Sequence, residues 1–280
     1  MIILDTKKEY ENHINLLKSK NEIISLVPTM GNLHDGHLSL IKIAKTKSTK
    51  VITSIFVNPL QFRKDEDFST YPRTMDEDIS KLKKINCDIL FAPKNKKEVF
   101  DNIENIKNLT AGPKGDILCG RIRPGHFDGV LKVVYMLFQL TKPDLSVFGL
   151  KDFQQLYLIK QMVREYFPKL KIVSAPTVRS KEGLALSSRN TYLDKASKKI
   201  APLFYKILVD GVNNLKNTKN VNKTIIDITK TLEKNNFFVN YVSFLTKELE
   251  ELKLNKTEKK ILLSSVKLGQ TRLIDNIEFN

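Results

Sequence analysis

Cys87 and Cys119 are the only cysteines in the chain, too few and too far apart for a disulfide framework or a thiolate zinc site. Long apolar runs are missing as well. No stretch approaches the roughly 20 residues that span a bilayer, so no membrane partner is expected. The first 21 residues carry Lys7, Lys8, Glu9 and Glu11 and lack the apolar core of a secretory signal. Together these absences lead us to expect a cytoplasmic protein. The chain also lacks an arginine-rich stripe, and it lacks aromatic residues set between basic ones, the platform on which single-strand binders stack bases. The net charge is nevertheless +16. Its lysines are scattered in short pieces such as Lys45, Lys47 and Lys50, or Lys81, Lys83 and Lys84, so the excess reads as a solvated surface and no nucleic-acid partner is expected. The rival reading, a basic RNA-binding module, predicts tight binding that weakens steeply with salt.

What is present is an ordinary globular composition. Over 280 residues, 41% are hydrophobic and 28% charged, enough for a sizeable core and for two domains. Apolar β-branched runs alternate with amphipathic stretches through the first two-thirds, the pattern of an α/β fold with a Rossmann-like parallel sheet and helices on both faces. Strands are expected at 23–27, 51–57, 87–91, 144–148 and 171–175, and helices at 37–47, 75–85, 129–140 and 153–166. Residues 94–124 contain Gly112, Pro113, Gly115 and Gly120 and read as an extended loop of a length suited to a lid. Beyond Ser187–Asn190 the texture changes to a helix at 195–215, a polar break at 217–220, a helix at 224–234 and strands at 237–245 and 261–267. This is a smaller C-terminal α+β domain. We divide the chain into 1–178 and 179–280.

The strongest local feature is Pro28-Thr29-Met30-Gly31-Asn32-Leu33-His34-Asp35-Gly36-His37, placed between the first of those strands and its helix. A helix N-terminus offers unpaired N–H groups and a positive dipole end, both suited to a polyphosphate. Gly31 and Gly36 let the chain turn and let a ligand approach. Two imidazoles there can donate to a phosphate as negative charge builds. Ordinary turn histidines and a zinc pair are the competing readings, although a third metal ligand is missing nearby. Further polar clusters follow later strands: Asn58 with Gln61, Gly149-Leu150-Lys151-Asp152 with Gln154 and Gln155, and Thr177-Val178-Arg179. In open parallel sheets the ligand crevice lies beyond the carboxyl ends of strands, so these clusters are expected to converge. Leu186-Ser187-Ser188-Arg189 adds two hydroxyls and a guanidinium suited to a triphosphate, with a polar interdomain linker as its alternative. The role of Arg121 to Gly129, which includes His126, is left open.

Taken together and in order, Pro28 to His37, Phe56 to Phe62, Tyr71-Pro72-Arg73-Thr74, Arg123 to Val130, Phe148 to Gln155 and Gly183 to Asn190 resemble the pantothenate synthetases. These are an adenylate-forming branch of the HIGH-type nucleotidyltransferases. The resemblance implies ATP-dependent joining of pantoate to β-alanine through a pantoyl-adenylate. Mg²⁺ is shared among the phosphates, and no protein metal ligand is assigned. It further implies that Met30, Gly31, Asn32, Leu33, His34, Asp35, Gly36 and His37 line ATP, with His37 the proton donor and His34 its companion. Gly149, Leu150, Lys151, Asp152, Val178, Leu186, Ser187, Ser188 and Arg189 complete the nucleotide site. Gln61, Gln155 and Asn58 are implied for pantoate, with Tyr71 shaping the pocket and Gln61 also serving β-alanine. Leu150 stands where that family more often has a polar residue. A homodimer with a C-terminal domain acting partly as a lid is likewise implied. A nucleotidyltransferase that makes a stable dinucleotide-like product would share the histidines without needing Gln61 and Gln155, and pyrophosphate release that depends on pantoate separates the two.

Overall fold

The structure, a computed structural model, describes residues 1–101, 106, 108–252 and 259–280. Contacts divide the chain into two compact units, one of residues 1–150 and 154–176, the other of 151–153 and 177–280.

The first unit is a six-stranded parallel sheet. In chain order it runs β1 (Ile2–Leu4), α1 (Lys7–Ser19), β2 (Ile24–Thr29), α2 (Asp35–Lys45), β3 (Lys50–Ile55), α3 (Met75–Lys84) and β4 (Ile89–Phe91). Two short helices, α4 (Lys97–Phe100) and α5 (Cys119–Ile122), precede α6 (His126–Thr141), β5 (Leu145–Gly149), α7 (Phe153–Tyr166) and β6 (Lys171–Ala175). The spatial order is β1-β4-β3-β2-β5-β6, and every pairing is parallel.

Strand residues alternate between two covered faces, as a parallel sheet requires. On one face Val27, Val51, Leu90, Leu145 and Val147 pack with Ile41 and Ala44 of α2 and Leu82 of α3. On the other, the Tyr10 ring of α1 stacks on Phe91 at 4.0 Å, and Phe138 of α6 meets Phe148 edge-on. The Tyr10 hydroxyl is paired with Thr141 Oγ1 at 2.6 Å, which satisfies a polar group that burial would otherwise penalise.

From β2 the chain moves outward to β3 and β4 on one side, then returns to start β5 on the other side of β2. This reversal opens a crevice at the carboxyl ends of β2 and β5, the place where ligands bind in such sheets. The loop 30–37 begins there.

The second unit contains α8 (Lys195–Ile200), α9 (Leu203–Thr218), α10 (Val221–Lys234), and the antiparallel strands β7 (Phe237–Thr246), β8 (Lys260–Leu268) and β9 (Thr271–Phe279), ordered β7-β8-β9. Phe204, Leu208, Val212, Ile228, Leu232, Leu262 and Val266 form its core. One long helix was expected at 195–215. Two are found because Pro202 lies between them, and proline cannot continue the hydrogen-bond ladder.

The stretch 94–124 departs from an extended loop. It holds α4, a 3-10 turn at Pro113–Gly115 and α5, although residues 102–105 and 107 lie outside the described residues. The Gln154 side chain fixes its latter part. Its Oε1 accepts from Cys119 N–H at 3.1 Å, and its Nε2 donates to the carbonyls of Lys114 and Ile117 at 2.9 and 2.8 Å.

Candidate active site

The loop after β2 is shaped by two consecutive residues with positive φ, Gly31 at 80° and Asn32 at 49°. Gly31 is required twice over. Its conformation disfavours side chains, and a Cβ there would meet Asp78 Oδ2 and Ile55 Cγ2, each at 3.1 Å. Asp78, fully buried in the first turn of α3, accepts from the N–H groups of Asn32 at 2.8 Å and Leu33 at 2.7 Å. Thr74 Oγ1 donates to the same carboxylate at 3.2 Å. Three residues on, Lys81 Nζ donates to the Leu33 carbonyl at 2.8 Å. One turn of α3 therefore clasps both ends of Leu33, whose side chain is 1% exposed within the core. Leu33 shapes the loop from inside, with its N–H and carbonyl both engaged.

His34 caps α2 in an extended conformation. Its Nδ1 accepts from Gly36 N–H at 3.1 Å, while its own N–H donates to His37 Nδ1 at 3.4 Å. An N–H can donate only to a ring nitrogen that carries a lone pair, so each neutral imidazole bears its proton on Nε2. The rings lie 4.1 Å apart, tilted by 38°. Two Nε2–H donors thus sit at the positive end of the α2 dipole, an arrangement suited to phosphate oxygens.

The neighbouring strand delivers Gln61. Thr29 and Ile55 are register partners at the ends of β2 and β3, so the loops that follow start side by side. Asn58 caps a 3-10 turn at Pro59–Gln61 through Leu60 N–H. Both of its Nδ2 hydrogens are used, on Gln61 Oε1 at 3.1 Å and on the Gly129 carbonyl at 3.0 Å. Being 1% exposed, Asn58 acts by orienting Gln61. With Oε1 accepting from Asn58, the Gln61 amide turns its NH₂ toward the loop, where it lies 3.0 Å from Met30 Sδ.

Behind Gln61 is a buried polar brace that sequence reasoning did not resolve. Arg123 binds Glu66 through Nε and an NH group at 2.5 and 2.6 Å, and it also donates to the Gln61 carbonyl at 3.2 Å. His126 stands between the same partners, with Nε2 facing an Arg123 NH at 2.7 Å and Nδ1 facing the Gln61 carbonyl at 2.8 Å. Because guanidinium only donates and a carbonyl only accepts, the proton sits on Nδ1. Here His126 is a neutral relay that fixes a backbone carbonyl, the reverse tautomer of the His34/His37 pair. Tyr71, 5% exposed, packs edge-on against Phe62 beside Gln61.

Gln155 lies in the first turn of α7, beyond the carboxyl end of β5 and half-buried, whereas Gln154 is spent on the 114–119 segment. Among the described residues the Gln155 amide makes no hydrogen bond, which leaves it open to a ligand. Gly149 ends β5 and Leu150 follows it in the first unit, while Lys151 and Asp152 belong to the second. Lys151 Nζ lies 3.7 Å from Asp152.

In the second unit Val178 accepts from Leu186 N–H at 2.9 Å. Ser187 caps the 3-10 turn at Ser188–Tyr192 through Arg189 N–H. Ser188 is buried, and Arg189 is half-buried. Among the described residues no three His, Cys, Asp or Glu side chains converge on a metal position. No described helix is long and apolar enough to cross a membrane.

Comparison with known proteins gives a match to the family Pantoate-beta-alanine ligase over residues 2–278. The chain is 44% identical to the pantothenate synthetase of Buchnera aphidicola subsp. Acyrthosiphon pisum over 279 residues, which cover 99% of this chain and 98% of the relative. Among solved structures it is similar to pantothenate synthetase from Thermus thermophilus, with a TM-score of 0.88 and 34% identity over 99% of both chains. It is also similar to the pantoate-beta-alanine ligase of Francisella tularensis, solved in complex with beta-gamma ATP and beta-alanine. That match has a TM-score of 0.82 and 37% identity over 99% of this chain and 97% of the other.

Proposed function

We propose, starting from the fact that the chain belongs to the pantoate-beta-alanine ligase family, that it joins pantoate to β-alanine with cleavage of ATP to AMP and pyrophosphate. A pantoate carboxylate oxygen attacks the α-phosphorus and pyrophosphate leaves. The β-alanine amine then attacks the acyl carbon of the adenylate, an amide forms, and AMP departs. No protein nucleophile is required, so the residues act by orientation and by stabilising charge.

The observation that carries this reading is the approach of the Gln61 amide to Met30 at 3.0 Å. It supports an acid held beside the loop that ends in the two imidazoles. The Gln61 NH₂ donates to pantoate, with Gln155 its second amide contact, and the same Gln61 serves β-alanine in the second step. His34 and His37 donate from Nε2 to the phosphates as charge develops, and His37 supplies the proton. Asn58 and Tyr71 hold the pocket around Gln61. Of the loop residues, Met30, Gly31, Asp35 and Gly36 line the nucleotide, while Asn32 and Leu33 contribute through the shape that Asp78 imposes. Gly149, Leu150, Lys151, Asp152 and Val178 contact the nucleotide, with Leu150 acting through its backbone. Leu186, Ser187, Ser188 and Arg189 bind phosphates. Among the described residues no acidic set fits a resident metal, and we take Mg²⁺ to enter with ATP on the phosphates. A cytoplasmic homodimer, each chain of which is divided into its two domains near Val178, completes the proposal.

Incubation with ATP, Mg²⁺, pantoate and β-alanine should yield AMP and the amide, and pyrophosphate release should require pantoate. His37→Ala should lower turnover by about 10²- to 10⁴-fold, the usual loss for an acid–base group, with the fold intact. Near-normal turnover in that variant would remove His37 from its role.

A further inference from the structure

Two adjacent residues of β9, Asp275 and Asn276, are polar and buried, at 3% and 7% exposure. Consecutive strand residues point to opposite faces, so this strand carries a polar group inward on both sides. Burial of that kind is costly unless each group is paired, and the partners here are specific.

Asp275 takes two parallel bonds from Arg179, at 2.5 and 2.7 Å, and a third from Asn276 N–H at 2.8 Å. Arg179 also donates to the Gly183 carbonyl at 3.1 Å, and its guanidinium lies 3.5 Å over the Tyr205 ring. Arg179 starts a short antiparallel turn. It bridges Ala185, Ser180 N–H meets the Leu184 carbonyl, and Leu186 N–H meets the Val178 carbonyl. Asn190 Nδ2 then holds the Ala185 carbonyl at 3.0 Å. A guanidinium fixed by a bidentate carboxylate and an aromatic face therefore fixes the base of the segment that runs into Leu186 to Arg189. Asn276 turns the other way and donates Nδ2 to the Lys151 carbonyl at 3.0 Å.

We infer that Asp275 and Asn276 are positioning residues for the nucleotide. Asp275 sets the Leu186–Arg189 phosphate-binding segment through Arg179, and Asn276 sets the backbone of Lys151. The inference rests on the reading that these two segments bind ATP. A buried ion pair is weak evidence for a role in stability, since well-packed apolar residues of similar volume often serve as well or better. Its place at the base of the Leu186–Arg189 segment fits a role in orientation.

The test uses the full-length protein and steady-state kinetics with ATP and pantoate varied separately. Asn276→Ala and Arg179→Lys should each raise the KM for ATP by roughly tenfold, the scale of one lost charge-assisted or buried hydrogen bond. The KM for pantoate should move by less than about twofold. The double variant Arg179→Met with Asp275→Leu is designed to keep the packing and the melting temperature, and it should still show the raised KM for ATP. A wild-type KM for ATP in the folded double variant, or equal shifts in both substrates that follow melting temperature, overturns the inference. Lys151→Ala and Ser187→Ala serve as controls. If they raise the KM for ATP while the Asn276 and Arg179 variants do not, only the positioning role falls. If they too leave it unchanged, the ATP reading of both segments falls and takes this inference with it.

Discussion

Gly129→Ala tests the seat of Gln61 with one methyl group. A Cβ at Gly129 would stand 2.0 Å from the Leu60 carbonyl oxygen, 2.4 Å from its carbon and 2.7 Å from Gln61 N. All three are backbone atoms, so no side chain can swing aside. Ordinary contact begins at 3.4 Å, and the 3-10 turn at Pro59–Gln61 must therefore retreat from α6 by about 1.4 Å to accept the methyl. The Asn58 Nδ2 bond to the Gly129 carbonyl, now 3.0 Å, stretches past bonding range in the same movement, and Asn58, which orients the Gln61 amide, loses its anchor on α6. Overpacking of this kind costs about 1–3 kcal/mol, and a displacement of about 1 Å at a substrate-holding group can cost about 10²-fold in rate. Urea unfolding followed by circular dichroism should show the first effect. Steady-state kinetics should show the second as a fall in kcat/KM for pantoate that exceeds any change for ATP. A folded Gly129→Ala protein with wild-type kcat/KM for pantoate would refute the view that this close approach holds Gln61 in place.

Asp78→Asn keeps the shape but offers a single acceptor oxygen where the N–H groups of Asn32 and Leu33 each have one. It leaves one buried N–H facing an NH₂, and it should cost about 1–3 kcal/mol in unfolding free energy and lower turnover through the displaced histidine loop. Unchanged turnover in the folded variant would show that the clasp is dispensable. Burial raises the Cys87 thiol above its ordinary value, and the bond to Thr53 opposes that shift without cancelling it. The folded chain thus holds that proton to higher pH than the unfolded one, and this contribution to stability is lost as pH rises through the folded value. A thiol reagent at pH 8 should find Cys87 unreactive until urea unfolds the chain, and rapid labelling of the native protein at Cys87 would contradict this.

The parts of the fold legible in the sequence are those with strong local patterns. The helix Phe153–Tyr166 and the strand Lys171–Ala175 fall where periodicity put them, and most other elements shift by one to three residues. Strand β1 has only three residues, too few for a pattern. Helix α1 does carry Tyr10, Ile14 and Leu17 on one face, but the polar residues around them hid it. Strand β9 escaped because Asp275 and Asn276 interrupt its apolar alternation, and polar residues inside an apolar strand argue against a strand on composition alone. The histidine loop was legible because glycines and imidazoles follow a strand and open a helix.

The supporting residues were less legible because each works across a long separation. Asp78 reaches Asn32 over 46 residues, His126 reaches Gln61 over 65 and Arg179 reaches Asp275 over 96. Local periodicity carries no information at that range. It does carry a weaker signal. Asp78 shares a helix face with Leu82, and both are buried, so an acid stands at an inward position of a clearly patterned helix. An unpaired charge there would cost several kcal/mol, so the position itself demands a partner even though it does not name one. In this chain Asp78 is met by backbone N–H groups of the histidine loop and by Thr74, and Arg123 by Glu66, His126 and the carbonyl of Gln61. A charge on a face that should be apolar therefore marks where a loop is being held, and that inference is available before any coordinates are.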